Sequence, residues 1–273
     1  MTSQLTAGTG SDGRDVTGSS GRVVASFHLV RYRRRRIPLE LVRFLTQRSA
    51  LRATAGLRFA RLLGTARGRS MSLSADLTRW ALFAVWDDDD ALDQFLVRSS
   101  VADHWRRHAV ETWTVRLEPL ASHGSWGQVK PVGDRHGPTI DVAPLAVLTR
   151  ATVRARHWPR FYRAAAATER LLVGAPGLLA SIGVGERPVG RQATFSLWAT
   201  ADAISAFAYR TAEHHEIVRR TREERWYAEE LFARFRPYRS AGTWDGIDPL
   251  GEALAGRPAR ARTDAGTTGN SMP

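Results

Sequence analysis

The sequence contains no cysteine among its 273 residues. Disulfide bonds, cysteine nucleophiles, iron–sulfur clusters and thiolate-ligated haem are therefore excluded. Any metal site in this chain has to use His, Asp, Glu, Tyr or Met side chains. The sequence also lacks an apolar run of the length that spans a bilayer. Residues 1–21 lack the apolar core of a signal peptide, which predicts a cytoplasmic location.

Arginine, in contrast, is abundant, and the net charge of the chain is +13. A surface with this charge attracts nucleic acid or anionic lipid. The densest cluster is residues 31–36 (RYRRRR), between a predicted strand and a predicted helix, so we expect it in a solvated loop. No nucleic-acid-binding motif accompanies the charge, and we expect no nucleic-acid partner. Peripheral contact with an acidic membrane is the interpretation that the cluster favours.

The sequence repeats itself once, with prolines, glycines and aromatic residues recurring at block-wise constant offsets. The pairs are Pro38/Pro159, Gly56/Gly177 and Gly64/Gly185 at 121 residues, Trp86/Trp198 and Phe95/Phe207 at 112, and Pro119/Pro237, Gly124/Gly242 and Trp126/Trp244 at 118. Length changes are confined to the segments between these blocks. This pattern is typical of a tandem duplication.

Each repeat has the predicted element order βαββαβ, which is that of a ferredoxin-like unit. The predicted fold class is therefore α+β, with two four-stranded antiparallel sheets covering each other in a pseudo-twofold α+β barrel. We expect a ligand cavity between sheet and helices or between the halves. The predicted organisation is a disordered tail at 1–20, halves at 21–126 and 146–248, a linker at 127–145 and a second disordered tail at 249–273.

Residues 193–244 are the most informative part of the second half and predict a strand, a long helix and a strand. The helix is predicted from about Ala201, with a break in its middle, to Arg236, where Pro237 ends it. In this interpretation Trp226 and Phe232 pack the end of the helix. A surface ion pair between Glu229 and Arg234 is also expected.

One histidine of this helix lies on its apolar face. That face is formed at helical spacing by Ala203, Phe207, His214 and Val218. His215 points about a quarter turn away. The histidine is either a hydrogen-bonded core residue or a metal ligand, since neutral imidazole is the commonest protein ligand. The first-half counterpart of His214 is Ala102, so a ligand of this kind would belong to the second half alone.

Residues 87–90 (DDDD) form an acidic run at the start of a predicted helix. Acidic runs can bind divalent cations. They also stabilise the N-terminus of a helix through its dipole, and this second interpretation is favoured here.

Three segments of the second half resemble the spheroidene monooxygenase family of acyclic carotenoid ketolases. They are residues 148–154 (LTRATVR), residues 182–188 and 192–198 (IGVGERP and QATFSLW), and residues 224–235 and 242–246 (ERWYAEELFARF and GTWDG). The first half resembles the family more weakly, chiefly in residues 84–86 (AVW) and 114–115 (TV). Together the resemblance covers most of residues 23–246.

The resemblance implies a haem protein that introduces an oxo group into an acyclic carotenoid or a related apolar isoprenoid. Haem b, dioxygen and a reduced electron carrier such as ferredoxin are the implied reactants. The duplicated fold is also similar to that of dimeric α+β barrel haem proteins, which bind haem through a histidine of the second half. The family's helix carries a Pro-His-Gly-Glu-like segment, which residues 213–216 (EHHE) match. His214 is thereby implied as the iron ligand, with His215 as the alternative.

A single histidine ligand leaves the opposite axial position of the iron open for oxygen. Trp198, Phe207 and Val218 are candidates to line the haem site, although ordinary core packing explains the two aromatic residues equally well. The haem propionates are expected to bind to arginine, because arginine binds carboxylates through paired hydrogen bonds. The candidates are Arg150, Arg154, Arg219 and Arg220.

Two other function classes fit the same fold, because one barrel hosts many chemistries. The first is a cofactor-independent monooxygenase or isomerase, in which His214 is structural or a general base. The second is a non-enzymatic protein that binds haem or an apolar ligand. The distal residues and the oligomeric state stay open.

Overall fold

The computed structural model describes residues 23–69, 74–135, 143–172, 174–187, 189–210, 219–221 and 223–255. The strands are β1 (Val24–Arg31), β2 (Leu57–Ala66), β3 (Ala75–Trp86), β4 (Glu111–Gly124), β5 (Leu145–Val153), β6 (Leu178–Gly185), β7 (Arg191–Trp198) and β8 (Tyr227–Gly242). They close into a barrel in the order β1-β3-β2-β6-β7-β5-β8-β4. The predicted α+β barrel is confirmed.

The helices lie outside this barrel. Those of the first half are α1 (Ile37–Arg52), α2 (Asp89–Arg98) and α3 (Ser100–His108), and those that follow are α4 (Trp158–Leu172), α5 (Ala201–Arg210) and α6 (Gly251–Leu254). Pro38 lies in the first turn of α1, where its missing amide hydrogen costs nothing. Asp88 caps α2 by accepting a hydrogen bond from the amide of Ala91 at 2.8 Å, which confirms the capping interpretation of the acidic run. No helix in the described ranges is long and apolar enough to cross a bilayer.

The barrel interior is filled by alternate side chains of all eight strands, as the two-residue period of a strand requires. Phe27 and Phe195, one from each half, stack at its centre with ring centroids 3.9 Å apart. The outward side chains of the first half pack against α1, α2 and α3. Those of the second half form two smaller clusters against α4 and α5.

The two halves meet along two seams of unequal length. Strands β4 and β8 pair antiparallel from Trp113 with Gly242 to Gly124 with Leu231. Strands β2 and β6 pair only at Gly64 with Gly185 and Thr65 with Val184. The two halves are therefore joined by a long strand pairing at one seam and by a short strand pairing at the other.

The prediction of a helix up to Arg236 was wrong. Residues from Tyr227 onward form β8, whose Leu231, Ala233 and Phe235 point into the barrel. Phe232 consequently lies on the outer face of a strand and not at a helix end. The strand also separates Glu229 from Arg234, because their side chains point to opposite faces.

The ordered chain extends beyond the predicted boundaries of the halves. Val132 lies within the predicted linker and is 5% exposed, and Leu250 lies within the predicted tail and is fully buried. Both belong to the barrel core, and they are separated by 118 residues, as are Trp126 and Trp244. The repeat therefore includes a turn after each final strand that closes one end of the barrel.

Candidate functional site

The outer faces of the two half-sheets carry equivalent rows of residues with different chemistry. In the first half, Leu62, Leu82, His28 and Thr114 lie side by side across β2, β3, β1 and β4. We call these four residues the His28 row. The repeat offsets convert them into Gly183, Thr194, Thr149 and Phe232, which lie side by side across β6, β7, β5 and β8. We call these four residues the Thr149 row.

The His28 row is closed by its own side chains and by helices. Leu62, Leu82 and His28 are all buried, and the His28 ring lies 5.3 Å from that of Trp105 on α3. The nitrogens of His28 make hydrogen bonds of 2.9 Å to Thr114 Oγ1 and 2.8 Å to Ser26 Oγ. Burial, together with the positive charge of Arg116, lowers the pKa of His28 to about 3.

The Thr149 row is open by comparison. Thr149 is exposed although it lies in the middle of β5, between the buried residues Val147 and Ala151 on the same face. Thr194 and Phe232 are half-buried. The row has a glycine and a threonine where the first half has two leucines. Its side chains therefore fill less of the space on this face of the sheet. Among the described residues, the second half therefore offers an accessible, partly apolar surface where the first half has packed core.

Two of the predicted site residues border this surface. Trp198 and Phe207 pack against each other with ring centroids 5.4 Å apart, Trp198 at the end of β7 and Phe207 on α5. Trp198 is 3% exposed and donates its indole hydrogen to Ser196 Oγ at 2.9 Å. The first-half counterparts, Trp86 and Phe95, are more completely buried. The aromatic pair thus forms one apolar wall beside the Thr149 row.

Arg234 is a cation at this face that the sequence interpretation missed. It lies on β8 directly opposite Val147 of β5, and its guanidinium carbon is 5.4 Å from the ring centroid of Phe232. Among the described residues, its buried Nε has no hydrogen-bond partner. The alternation of Leu231, Ala233 and Phe235 was the signal that would have placed Arg234 on an outward strand position.

Arg150 lies on the other face of the sheet. It is 2% exposed and points into the barrel end, where it forms ion pairs with Glu229 and with Glu186. Its guanidinium also lies over the ring of Trp126. The structure therefore does not bring Arg150 to the side of Trp198 and Phe207, and its charge is already balanced.

The electrostatics of this buried cluster favour a charged Glu229. Burial alone would raise its pKa, but hydrogen bonds from the amides of Gln128 and Gly127, the hydroxyl of Ser125 and the guanidinium of Arg150 outweigh burial. The pKa of Glu229 is lowered to about 2. Glu229 therefore stays charged at neutral pH, and its ion pair with Arg150 joins β8 to β5 at this end of the barrel.

The remaining predicted residues are either exposed or lie outside the described residues. Arg154 is exposed after β5 and donates to the carbonyl of Arg225 at 3.2 Å. Arg219 and Arg220 are exposed. His214, His215 and Val218 lie outside the described residues. Within the described ranges, no three His, Asp or Glu side chains form a metal-binding group.

A second concave feature lies at the short seam between the halves. Its cavity of about 390 Å³ is bounded by the outward side chains of α1, by β2 and the start of β3, and by β6. We call it the seam groove. Its lining includes Leu41, Val42, Phe44, Gly64, Leu77, Trp80, Gly183 and Gly185. Gly183 also belongs to the Thr149 row, so the groove and the row share a boundary.

Two solved structures of aldoxime dehydratase have a similar fold. Aldoxime dehydratase in complex with butyraldoxime has a TM-score of 0.57 at 10% identity, covering 85% of this chain and 84% of that one. A second structure of aldoxime dehydratase has a TM-score of 0.55 at 13% identity, covering 79% and 81%. The similarity shows that the chain shares its fold with these structures and shows nothing about its chemistry.

The sequence relatives are more specific. Spheroidene monooxygenase of Rhodobacter capsulatus is 30% identical over 222 residues, covering 81% of this chain and 92% of that protein. Spheroidene monooxygenase of Rubrivivax gelatinosus is 36% identical over 205 residues, covering 75% and 78%. That of Cereibacter sphaeroides is 33% identical over 217 residues, covering 79% and 67%. No protein-family model matches the chain. The chain belongs to the spheroidene monooxygenase family, which confirms the resemblance.

Proposed function

We propose that this protein is a haem-dependent monooxygenase that introduces an oxo group into an acyclic carotenoid or a related apolar isoprenoid. Dioxygen supplies the oxygen atom, and a reduced electron carrier of the ferredoxin type supplies the electrons. The family relationship supports the monooxygenase class and the carotenoid substrate. The single structural observation that supports the site is the difference between the two rows, buried at His28 and exposed at Thr149.

The residues around the Thr149 row fit a flat, largely apolar cofactor with carboxylate groups. Small side chains at Gly183, Thr194 and Thr149 leave room against the sheet. Trp198 and Phe207 supply an apolar wall. Arg234 supplies a guanidinium on the same face, and arginine pairs well with a carboxylate such as a haem propionate.

The repeat supports His214 over His215 as the iron ligand. The first-half counterpart of His214 is Ala102, which is 3% exposed and packs in the core between helix and sheet. The counterpart of His215 is Asp103, which is half-buried and forms ion pairs with Arg106 and Arg107 at the surface. In the first half, where both counterparts are described, only the counterpart of His214 faces the sheet.

Haem, when bound, supplies the activation of dioxygen. The chain's own residues bind and orient the reactants. The aromatic pair excludes water from one side of the site, and Arg234 anchors a carboxylate at its edge. The hydroxyls of Thr149 and Thr194 offer hydrogen-bond donors on the same sheet face. In the overall change, one methylene group, two molecules of dioxygen, four electrons from the carrier and four protons give one carbonyl group and three molecules of water.

The charged surface suits the proposed partners. Arg33, Arg34 and Arg35 are all exposed immediately before α1, and Leu39 and Val42 of that helix are exposed beside them. Basic residues attract acidic lipid headgroups, and neighbouring apolar side chains can enter the interface. The same charge favours encounter with an acidic electron carrier. We expect peripheral contact with an acidic membrane.

The visible absorption spectrum of the purified full-length protein after haem supplementation tests the proposal. We expect a Soret band in the wild type and in the control His215→Ala, and its loss in His214→Ala. With spheroidene, dioxygen and reduced ferredoxin, mass spectrometry should detect a product with one oxygen in place of two hydrogens. Absence of a Soret band in the wild type would contradict haem dependence and favour a cofactor-independent barrel. A Soret band without oxidised product would favour a non-enzymatic haem protein.

A further inference from the structure

The seam groove lies against α1 of the first half, and the equivalent helix of the second half, α4, carries different side chains. In the first half its α1 wall is formed by Leu41, Val42 and Phe44. The 121-residue offset places Tyr162 on α4 at the position of Leu41, and Trp158 at that of Ile37. Tyr162 Oη accepts a hydrogen bond from the amide of Gly190 at 3.1 Å. The rings of Trp158 and Tyr162 thus close over the β6–β7 turn, whereas Leu41, at the position of Tyr162, stays 40% exposed.

The lining of the groove favours an uncharged hydrocarbon. Leu41, Val42 and Leu77 are large apolar residues that stay 40%, 62% and 45% exposed. Three charged residues lie at the edge: Arg187 is exposed, and the two acidic residues are engaged elsewhere. Asp76 accepts from the amide and hydroxyl of Thr78, and Glu186 accepts from Trp126 and Arg150. A cavity of about 390 Å³ falls in the usual size range of small-molecule sites, roughly 300–1,000 Å³.

The groove is continuous with the site proposed above. Gly183 lines the groove and is paired with Thr194, which is paired in turn with Thr149. A long, thin molecule lying in the groove can therefore extend along the outer face of β6 and β7 toward the Thr149 row. Because the groove adjoins exposed Leu39 and the arginines before α1, its entrance lies on the surface that we expect to face a membrane.

We infer that the seam groove binds one end of the acyclic isoprenoid chain of the substrate and directs the rest of that chain to the Thr149 row. The inference rests on the proposed function for the identity of the ligand. It assigns a separate task to each half of the duplicated fold: the second half carries the reaction site, and the first half, through α1, β2 and β3, carries the chain-binding site.

Substitution of Gly64 is the sharpest test of the groove. A Cβ at this position would meet only the carbonyl oxygen of Gly185, at 3.9 Å, so Gly64→Leu fills the groove without a backbone clash. The matched control is Gly174→Leu, where a Cβ would meet nothing within 4 Å. Each protein is incubated with spheroidene in detergent micelles and separated by gel filtration, and the retained carotenoid is extracted and quantified by its absorbance.

We expect Gly64→Leu to retain at least tenfold less spheroidene than the wild type, and Gly174→Leu to retain the wild-type amount. A second pair places a charge in the groove wall without touching the core. Val42→Glu changes a 62% exposed residue of α1, and the control Val97→Glu changes a 69% exposed residue of α2. We expect a loss of retention for the first variant only.

The Soret band and the thermal midpoint of every variant separate this inference from the proposed function. Spheroidene retention that depends on Gly64 in a protein without a Soret band would support the groove and contradict haem dependence. A Soret band together with wild-type retention in Gly64→Leu and Val42→Glu would overturn the groove alone. Absence of retention by the wild type, or a wild-type dimer that both groove variants convert to a monomer, would also overturn it.

Discussion

His28 and Thr149 occupy the same position in the two repeats, 121 residues apart, yet His28 is fully buried and Thr149 is exposed. Their backbone neighbours correspond as well, since each is paired on both sides with equivalent residues. The duplication keeps the backbone register in both halves, but among the described residues it buries one of the two equivalent rows and leaves the other accessible. The first three predictions below follow from this difference.

A larger side chain in the Thr149 row should prevent haem from binding and leave the fold intact. Thr194→Leu introduces the side chain that Leu82 has in the first half, so the sheet tolerates it there. We expect haem occupancy, measured by the Soret absorbance per protein, to fall at least tenfold while the thermal midpoint stays within a few degrees. The control is Thr243→Leu at an exposed position after β8. Equal haem occupancy in both variants would contradict a ligand site at this row.

Removal of the Arg234 guanidinium should weaken haem binding. A hydrogen bond to a charged group contributes about 1.5–3 kcal/mol, so we expect Arg234→Gln to raise the Kd for haem about tenfold or more. Titration of the apoprotein with haem, followed at the Soret maximum, measures this change. Arg239→Gln is the control, because Arg239 lies on the same strand and is exposed. An unchanged Kd in Arg234→Gln would exclude Arg234 as the carboxylate anchor.

The low pKa of His28 predicts a loss of stability in mild acid. The unfolded chain takes up a proton near pH 6.5, whereas folded His28 stays neutral down to about pH 3. Stability is therefore fully present above pH 6.5 and falls as the pH drops toward 3, by about 2 kcal/mol at pH 5. Urea unfolding at several pH values measures the effect, which should be absent in His28→Asn. The control His123→Asn, at an exposed site, should keep the wild-type slope.

The low pKa of Glu229 predicts a second loss of stability, at a lower pH. Its pKa falls from 4.5 in the unfolded chain to about 2 in the fold, so its contribution is present above pH 4.5 and is lost as the pH falls toward 2. We expect Glu229→Gln to lose about 2–3 kcal/mol at neutral pH and to show a flatter pH dependence below 4.5. Glu230→Gln, an exposed neighbour, should unfold like the wild type. Equal unfolding free energies for both variants at pH 7 would contradict the ion pair with Arg150.

Anchoring of the chain after β8 can be tested at Leu250. This side chain is fully buried in the barrel core, and its truncation leaves a cavity there. We expect Leu250→Ala to destabilise the protein by about 2–5 kcal/mol in urea unfolding. Ile247→Ala, in the same turn but 66% exposed, should change stability by less than about 1 kcal/mol. A small effect at Leu250 would mean that the turn detaches without cost to the barrel.

The repeat made the element order and the barrel predictable from the sequence. Constant offsets at proline and glycine mark element ends, because these residues have special backbone requirements in any context. Gly56 and Gly177, for instance, both adopt positive φ, at 70° and 78°, immediately before the second strand of each half. The cap at Asp88 was predictable for a similar reason, since capping depends only on local sequence.

Strand β8 and the placement of the arginines were not predictable in the same way. Residues 224–235 contain many glutamates and arginines, which favour a helix locally, and tertiary pairing with β4 and β5 overrides that preference. The assignment to a helix then misplaced Arg234, Glu229 and Phe232 together. Arg150 could not be assigned to a face from charge alone, because its burial is made possible by Glu229 and Glu186, which are distant in sequence.

The unequal seams of the barrel have a mechanical consequence. Eleven residue pairs join β4 to β8, whereas two join β2 to β6. A closed sheet with one short junction opens first at that junction, because local opening requires the fewest hydrogen bonds to break there. The seam groove lies along this line. The proposed polyene substrate therefore meets the groove at the part of the sheet that can yield with the least loss of backbone hydrogen bonds.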